Sequence, residues 1–552
     1  MPKPMPLHRF SPARRTLLKQ SGTIAATSFI GTMGALHSRN AFAATGKQMT
    51  PATSPYGAVA PVNDLTTGLP LLQLPAGFTY KSYGWTGDMM ADGRPTPSNH
   101  DGMAVVETRR VGRSIEHVLV RNHERGLTST LGAAVQADNN YDQGLVNGII
   151  TVFSPGGVGP RVRFGTTTVT SQSAADPAPL VGYAGGGTSN MVFRDGNWLS
   201  STSSIGGTLG NCAGGPTPWG SWLTCEETIA DFSAIGGKKH GYVFETDSNR
   251  ADSIATPIVE MGRFSHEAVA VDPLNGYVYE TEDSRNLSAL YRFVPDAPLP
   301  LTNGSLQSGG TLQGARIKTI INKASAATLT QANDLGLLNP DIGDEYELEW
   351  VDINDPDASP VVVLNQPGGV STGVMSGPTY EALTKGCARM ARGEGIWHAA
   401  GKMFIVDTAA GLDGSGRPGR GEGAVWVLTL ATMHLKAIFA SGASIAGNNP
   451  DNVTVSPRGG VILCEDGGAG SAGAARLLGL NPAGESYVFC RNNMNLSGAQ
   501  ISGAGKTVAA GNYLGIEFAG ACFEPSGRVL FVNIQSPGLS FAINGPWANG
   551  NL

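Results

Sequence analysis

Carboxylates recur at both ends of short strand pairs in this chain, and that recurrence is its clearest chemical signal. The segment Glu267-Ala-Val-Ala-Val-Asp272-Pro-Leu-Asn-Gly276-Tyr-Val-Tyr-Glu-Thr-Glu282-Asp283 begins and ends on acids around a Pro/Asn/Gly turn. The same frame occurs from Glu394 to Asp407, from Asp451 to Asp466 and from Glu517 to Asn533, and more loosely from Asp101 to Glu124 and from Asn211 to Glu227. A hairpin sets the first residue of its first strand beside the last residue of its second. Each copy therefore gathers its polar residues at one end, opposite the turn. Converging ends would bring Glu124, Glu226, Glu267, Glu282, Asp283, Glu394, Asp451, Glu465, Asp466 and Glu517 to one mouth. Carboxylates so crowded raise each other's pKa or recruit cations. Oxygen ligands without histidine-rich spacing suit Ca²⁺. Cys225, beside Glu226 and Glu227, adds a sulfur that calcium does not favour and iron accepts. Bound cations would invert the local field and let the mouth take an anion such as phosphate. Arg392 and Asn122, each two residues before an acid, then stand where they could orient substrate oxygens, the guanidinium by its paired donors.

Short strand pairs must pack on one another to bury their faces, and six such units call for a repeat architecture. Radial packing of antiparallel sheets with little exposed edge is the β-propeller, which would place all six polar ends around the central channel. The expectation is an all-β chain forming a single six-bladed propeller, with insertions after the first and third copies; seven or eight blades remain open. A sandwich whose acids merely end strands at the surface is the competing structural reading. The 552 residues would allow two or three ordinary domains, but one large propeller accounts for them. Glycine, at 76 residues, implies many turns, and only 15% of residues are charged. With 38 basic against 44 acidic side chains, a nucleic-acid binder is disfavoured, and no apolar run reaches the ~20 residues of a bilayer span.

Residues 1–43 are set apart as a targeting segment. They read Arg14-Arg15-Thr-Leu-Leu-Lys19, a diluted apolar stretch from Ile24 to Leu36, and Ala41-Phe42-Ala43, with six Lys and Arg and no acid. That order is expected of a twin-arginine export signal, which carries folded proteins across the membrane. The mature chain is then expected in the periplasm or outside the cell. Residues 44–95 read as an N-terminal extension with a closing strand, and 96–552 as the propeller. Six cysteines, Cys212, Cys225, Cys387, Cys464, Cys490 and Cys522, contain no CxxC pair, and spacing assigns no disulfide. The stretch from Gly411 to Gly423 is glycine-rich without a Walker lysine and reads as a mobile loop.

These segments resemble the PhoX-type alkaline phosphatases, a family of twin-arginine-exported enzymes. The resemblance runs through Arg121-Asn-His-Glu124, the block from Asn211 to Glu227, Gly262-Arg-Phe-Ser-His-Glu267, Ala391-Arg-Gly-Glu394, Asp451-Asn-Val, Cys464-Glu-Asp466 and Phe518 to Trp547. It implies a six-bladed propeller holding two Fe³⁺ and three Ca²⁺ that hydrolyses phosphomonoesters. Carried over, Cys225, Glu267 and Glu394 are expected on the iron side. Glu124, Glu226, Glu282, Asp451, Glu465 and Glu517 are expected on the calcium side, and Asn122 and Arg392 against phosphate. The expected partners are a small phosphoester and the export machinery, with no nucleic acid and no membrane insertion, for a monomer. A Ca²⁺-dependent lactonase or phosphotriesterase, and a non-catalytic calcium-stabilised binding propeller, are the alternative functions.

Overall fold

The computed structural model describes residues 46–144, 182–323, 328–467 and 473–552, with backbone alone for a few strand residues between 145 and 181. The targeting segment expected over residues 1–43 lies outside the described residues.

All six expected strand pairs form as antiparallel hairpins. They join His100–Val111 to Ser114–His123, Asn211–Pro216 to Ser221–Glu226, and His266–Val271 to Val278–Glu282. The other three join Gly393–Ala399 to Lys402–Asp407, Pro450–Val455 to Val461–Glu465, and Phe518–Phe523 to Val529–Ile534. The first strand of each hairpin packs beside that of the next, and the last returns to the first. The arrangement is all-β and propeller-like. Further strands extend each hairpin outward: Gly186–Arg194 and Asn197–Thr208 in the first sheet, Val243–Asp247 in the second, Arg476–Leu480 and Ser486–Asn492 in the fifth. The third and fourth units do not end separately, because Glu345–Asp352 bonds to Gly310–Asn322 on one side and His434–Ala440 on the other, fusing them into one long sheet. The chain's two ends meet where Thr79–Tyr83 pairs with Leu539–Asn544 as the outer strand of the last sheet.

Strands in stacked sheets are covered on both faces, so they read as continuous apolar runs rather than alternating ones. His266–Val271, Val529–Ile534 and Phe518–Phe523 are buried at every position. Between neighbouring sheets the apolar side chains interlock, as where Leu223, Cys225, Val243, Val269, Val271 and Phe293 form one cluster. The inner strands approach so closely that side chains there must be small. A Cβ on Gly102 would stand 2.6 Å from Ala213 Cα, and one on Gly395 2.7 Å from Asn452 Cα. Helices are few and short among the described residues, and none is long and apolar enough to cross a membrane.

Candidate metal centre

Each hairpin slips register at the same level, and the first slips again between Val105 and Glu107. Pairing jumps from His100 to Met103, Asn211 to Gly214, His266 to Val269, Gly393 to Ile396, Pro450 to Val453 and Ala519 to Cys522. A bulge leaves its extra residues unpaired and re-aims a side chain. The first unpaired residue of each is Asp101, Cys212, Glu267, Glu394, Asp451 and Gly520. The second is Gly102, Ala213, Ala268, Gly395, Asn452 and Ala521; five of the six are Gly or Ala, and at Gly102 and Gly395 the crowded ring leaves no room for a Cβ. A second tier comes from the residue just past the outgoing strand: Glu124, Glu227, Asp283, Thr408, Asp466 and Gln535. Gly520 (φ +61°) brings no side chain, and Glu517, three residues earlier, supplies a carboxylate on that side.

Eight carboxylates and one thiol thereby converge. Cys212, Glu227 and Glu267 form one group; Glu267, Glu394 and Asp451 a second; Asp451, Asp466 and Glu517 a third; Asp101, Glu124 and Glu517 a fourth. Within each group the ligand atoms lie within 4.8 Å of one another. Cys212 Sγ is 3.3 Å from Glu267 Oε1. Arg392 is the cation seated at their edge. Its Nε and one terminal nitrogen donate to Asp283 at 2.7 and 2.5 Å, and that same nitrogen is 2.9 Å from Glu394 Oε1.

Burial, then mutual repulsion, governs the charge of this site. Desolvation followed by Asp451 and Asp466 pushes Glu124 up to about 7. Desolvation and Asp466 bring Asp451 to about 7, against the pull of Arg392. Asp101, Glu227, Glu267, Glu394 and Glu517 are raised well above the usual carboxylate range by the same causes. Burial also raises the Cys212 thiol, with Asp101 and Glu267 adding.

The residues present fit cations. Glu267 Oε2 and Asp101 Oδ1 are buried without a hydrogen-bond partner, an expensive state for a carboxylate that a bound cation would relieve. The sulfur-containing group suits a softer metal, and the oxygen-only groups suit calcium. A pH effect follows for chelated protein. Raised carboxylate pKa values mean that the folded chain binds more protons than the unfolded one. Stability therefore falls as pH rises from the ordinary carboxyl value of 4.5 through about 7. Thermal melts of chelator-treated protein should show that fall, and added cations should flatten it.

Of the residues nominated from sequence, the structure brings together Glu124, Glu267, Glu394, Asp451, Asp466 and Glu517, with Arg392 and Asp283 beside them. It places the others elsewhere. Cys225 pairs with Val243 in mid-strand and is buried in the apolar cluster with Leu223 and Val269. Cys212, from the bulge, is the thiol at the site. Glu226, Glu282 and Glu465 are the last paired residues of their strands and point between sheets, where each is consumed structurally. Glu226 takes His240 Nδ1 at 2.6 Å and the amides of Leu209, Gly241 and Tyr242. Glu282 takes the hydroxyls of Thr379, Ser376 and Tyr291. Glu465 is held by Arg476 through two bonds of 2.6 Å. In the second and fifth hairpins the residue one further on, Glu227 or Asp466, joins these groups instead. Asn122 is fully buried and saturated. It donates to the Cys212 and Ala213 carbonyls at 3.1 and 2.7 Å and accepts from Trp222 Nε1 and Thr224 Oγ1. It braces the Cys212 bulge and has no capacity left for phosphate. Asp101, Cys212 and Glu227, which the sequence does not single out as ligands, are brought into these groups by the structure. The signal that marks four of the five inner acids and thiol is a following Gly or Ala: Asp-Gly, Cys-Ala, Glu-Ala and Glu-Gly.

Fold and site together define an all-β, propeller-like protein built around a carboxylate- and thiol-lined centre able to hold several cations. The family model for the alkaline phosphatase PhoX matches residues 54–538, and the chain belongs to that family. It is a phosphoric ester hydrolase. Among solved structures it is similar to Pseudomonas fluorescens PhoX in complex with vanadate, a transition state analogue. That match has 16% identity and a TM-score of 0.55, and covers 90% of this chain and 99% of that one. A gluconolactonase from Xanthomonas campestris matches at 10% identity and a TM-score of 0.31, over 82% of this chain and 96% of that one. No curated protein matches.

Proposed function

We propose that the chain is an exported phosphomonoesterase whose cations, iron and calcium, are held by Cys212, Asp101, Glu124, Glu227, Glu267, Glu394, Asp451, Asp466 and Glu517. The observation that carries this reading is the convergence of those nine side chains from six hairpins, with Arg392 at their edge. Six equivalent bulged hairpins support a six-bladed propeller, with two blades fused through Glu345–Asp352. Residues 1–43 would direct it to the periplasm or beyond.

Bound cations would supply Lewis acidity toward phosphoryl oxygens. The chain's own contribution is positioning. Arg392 spends Nε and one terminal nitrogen on Asp283 and Glu394, and its other terminal nitrogen has no partner among the described residues. That nitrogen is left to grip a phosphoryl oxygen, in an orientation fixed by the Asp283 clamp. Asp407, which accepts the Ala391 and Arg392 amides at 2.9 and 3.0 Å, fixes the backbone beneath it. Asn122 sets the Cys212 backbone so that the sulfur faces Glu267.

The test is elemental analysis of the exported protein paired with p-nitrophenyl phosphate turnover before and after chelation. Iron and calcium in the protein, activity lost on chelation and restored by both metals, are expected. Full activity in metal-free protein would overturn the reading.

A further inference from the structure

The sixth hairpin departs from the pattern by which the others supply the metal centre. Its bulge residue, Gly520, is held at φ +61°, and a Cβ there would stand 2.6 Å from the Asp101 carbonyl oxygen and 2.7 Å from the Met103 amide nitrogen. A side chain has no room at that place, so the bulge brings no ligand. Just past the outgoing strand, where the first, second, third and fifth hairpins each set an acid, the sixth sets Gln535. One further departure lies beside it. Asn452, the second bulge residue of the fifth hairpin, is the one amide among Gly and Ala, and its side chain reaches Gly520.

Both amides are bonded to carboxylates of the centre. Gln535 Nε2 donates to Glu124 Oε2 at 2.6 Å. Its main chain ties down the segments of the other two members of that group. The Gln535 N–H donates to the Glu517 carbonyl at 3.3 Å, and the Gln535 carbonyl accepts the amide of His100, one residue before Asp101, at 3.1 Å. Asn452 Nδ2 donates to Asp451 Oδ1 at 2.6 Å, while Asn452 Oδ1 accepts the Gly520 N–H at 2.7 Å and so fixes the amide's orientation. Each carboxylate therefore has one oxygen pinned by a neutral donor. Among the described residues no hydrogen bond reaches the other oxygen, Glu124 Oε1 or Asp451 Oδ2. An ionised acid at position 535 could not donate, and it would add repulsion where burial and neighbouring acids already raise Glu124 to about 7.

We propose that Asn452 and Gln535 are positioning residues for calcium, each holding a carboxylate by one oxygen so that the other oxygen of Asp451 and of Glu124 is presented to a cation on the sixth-hairpin side of the centre. A partner of this kind fixes the rotation of a ligand and with it the ligand's affinity for metal. The side chains of the iron side, Cys212, Glu267 and Glu394, receive no bond from either amide. The inference rests on the metal-centre reading and adds two neutral residues to it.

The experiment measures calcium release from the metal-loaded full chain to a calcium-selective chelator, with iron content read on the same samples, for wild type, Gln535→Met and Asn452→Ala. Met keeps the length of the Gln535 side chain without its donor, and Ala is what the second, third and sixth hairpins carry at the place of Asn452. Calcium affinity should fall about tenfold to a hundredfold in each variant, as expected when a ligand loses its outer partner, while iron is retained. Calcium affinity equal to that of wild type, or iron lost in step with calcium, would overturn the proposal. If one variant fails to fold by its melting curve, the other decides. Wild-type protein that binds no calcium would sink the metal-centre reading itself. Wild-type protein that binds calcium, with variants that bind it equally well, would sink the positioning roles alone.

Discussion

Cys212→Ser should strip the centre of its softer metal and lower phosphatase activity at least about a hundredfold, more than the loss of a group that merely orients a ligand. Cys225→Ala should leave turnover nearly unchanged. The two thiols stand in neighbouring strands of one hairpin and differ only in how the backbone aims them. Cys212 sits in the bulge, 3.3 Å from Glu267, braced by Asn122. Cys225 sits in regular pairing opposite Val243, inside an apolar cluster. Its removal would leave a small cavity and cost about 1 kcal/mol of stability, the lower end for a buried truncation. Measuring iron content, activity and melting temperature of both variants separates the roles. Iron retained in Cys212→Ser, or lost in Cys225→Ala, would reverse the assignment.

The second large effect concerns Glu267, which belongs to both the thiol-containing group and the Glu394–Asp451 group. Glu267→Gln removes one negative charge where repulsion is strongest and a bridging ligand where cations would be shared. Two opposite consequences follow. In the presence of metals, activity should fall at least about a hundredfold, because an amide is a poorer ligand and cannot neutralise two cations. In metal-free protein, the variant should melt a few degrees above the wild type at neutral pH, because a buried carboxylate pushed far from its usual range by desolvation and by Glu394 no longer has to be accommodated. Melting curves with and without chelator read both signs. A variant less stable than wild type in both conditions would mean that Glu267 is a structural residue.

The hairpins were legible because their signal is local: apolar runs around Pro/Asn/Gly turns, with acids at the ends. The end at which those acids gather was legible for the same reason. The register was not. Sequence alone does not reveal a two-residue bulge, and one residue of slip exchanges a side chain aimed at the channel for one aimed between sheets. That is why Glu226, Glu282 and Glu465, although acidic and correctly placed along the chain, serve His240, Thr379 and Arg476 instead. It is also why Cys225 drew attention that belongs to Cys212. The Gly or Ala after most of the bulge acids and thiol is the trace the bulge leaves, and only the packing of neighbouring inner strands gives it meaning. The fusion of the third and fourth units depends on Glu345–Asp352 finding two outer edges at once, a long-range pairing with no local mark.

Anomalous diffraction from crystals of the metal-loaded enzyme, at and away from the iron edge, bears most directly on the central claim. Iron peaks are expected between Cys212, Glu267 and Glu394, and lighter peaks among Asp101, Glu124, Asp451, Asp466 and Glu517. Metal beside Cys225, or an active enzyme with no peak inside the ring of bulges, would contradict that placement.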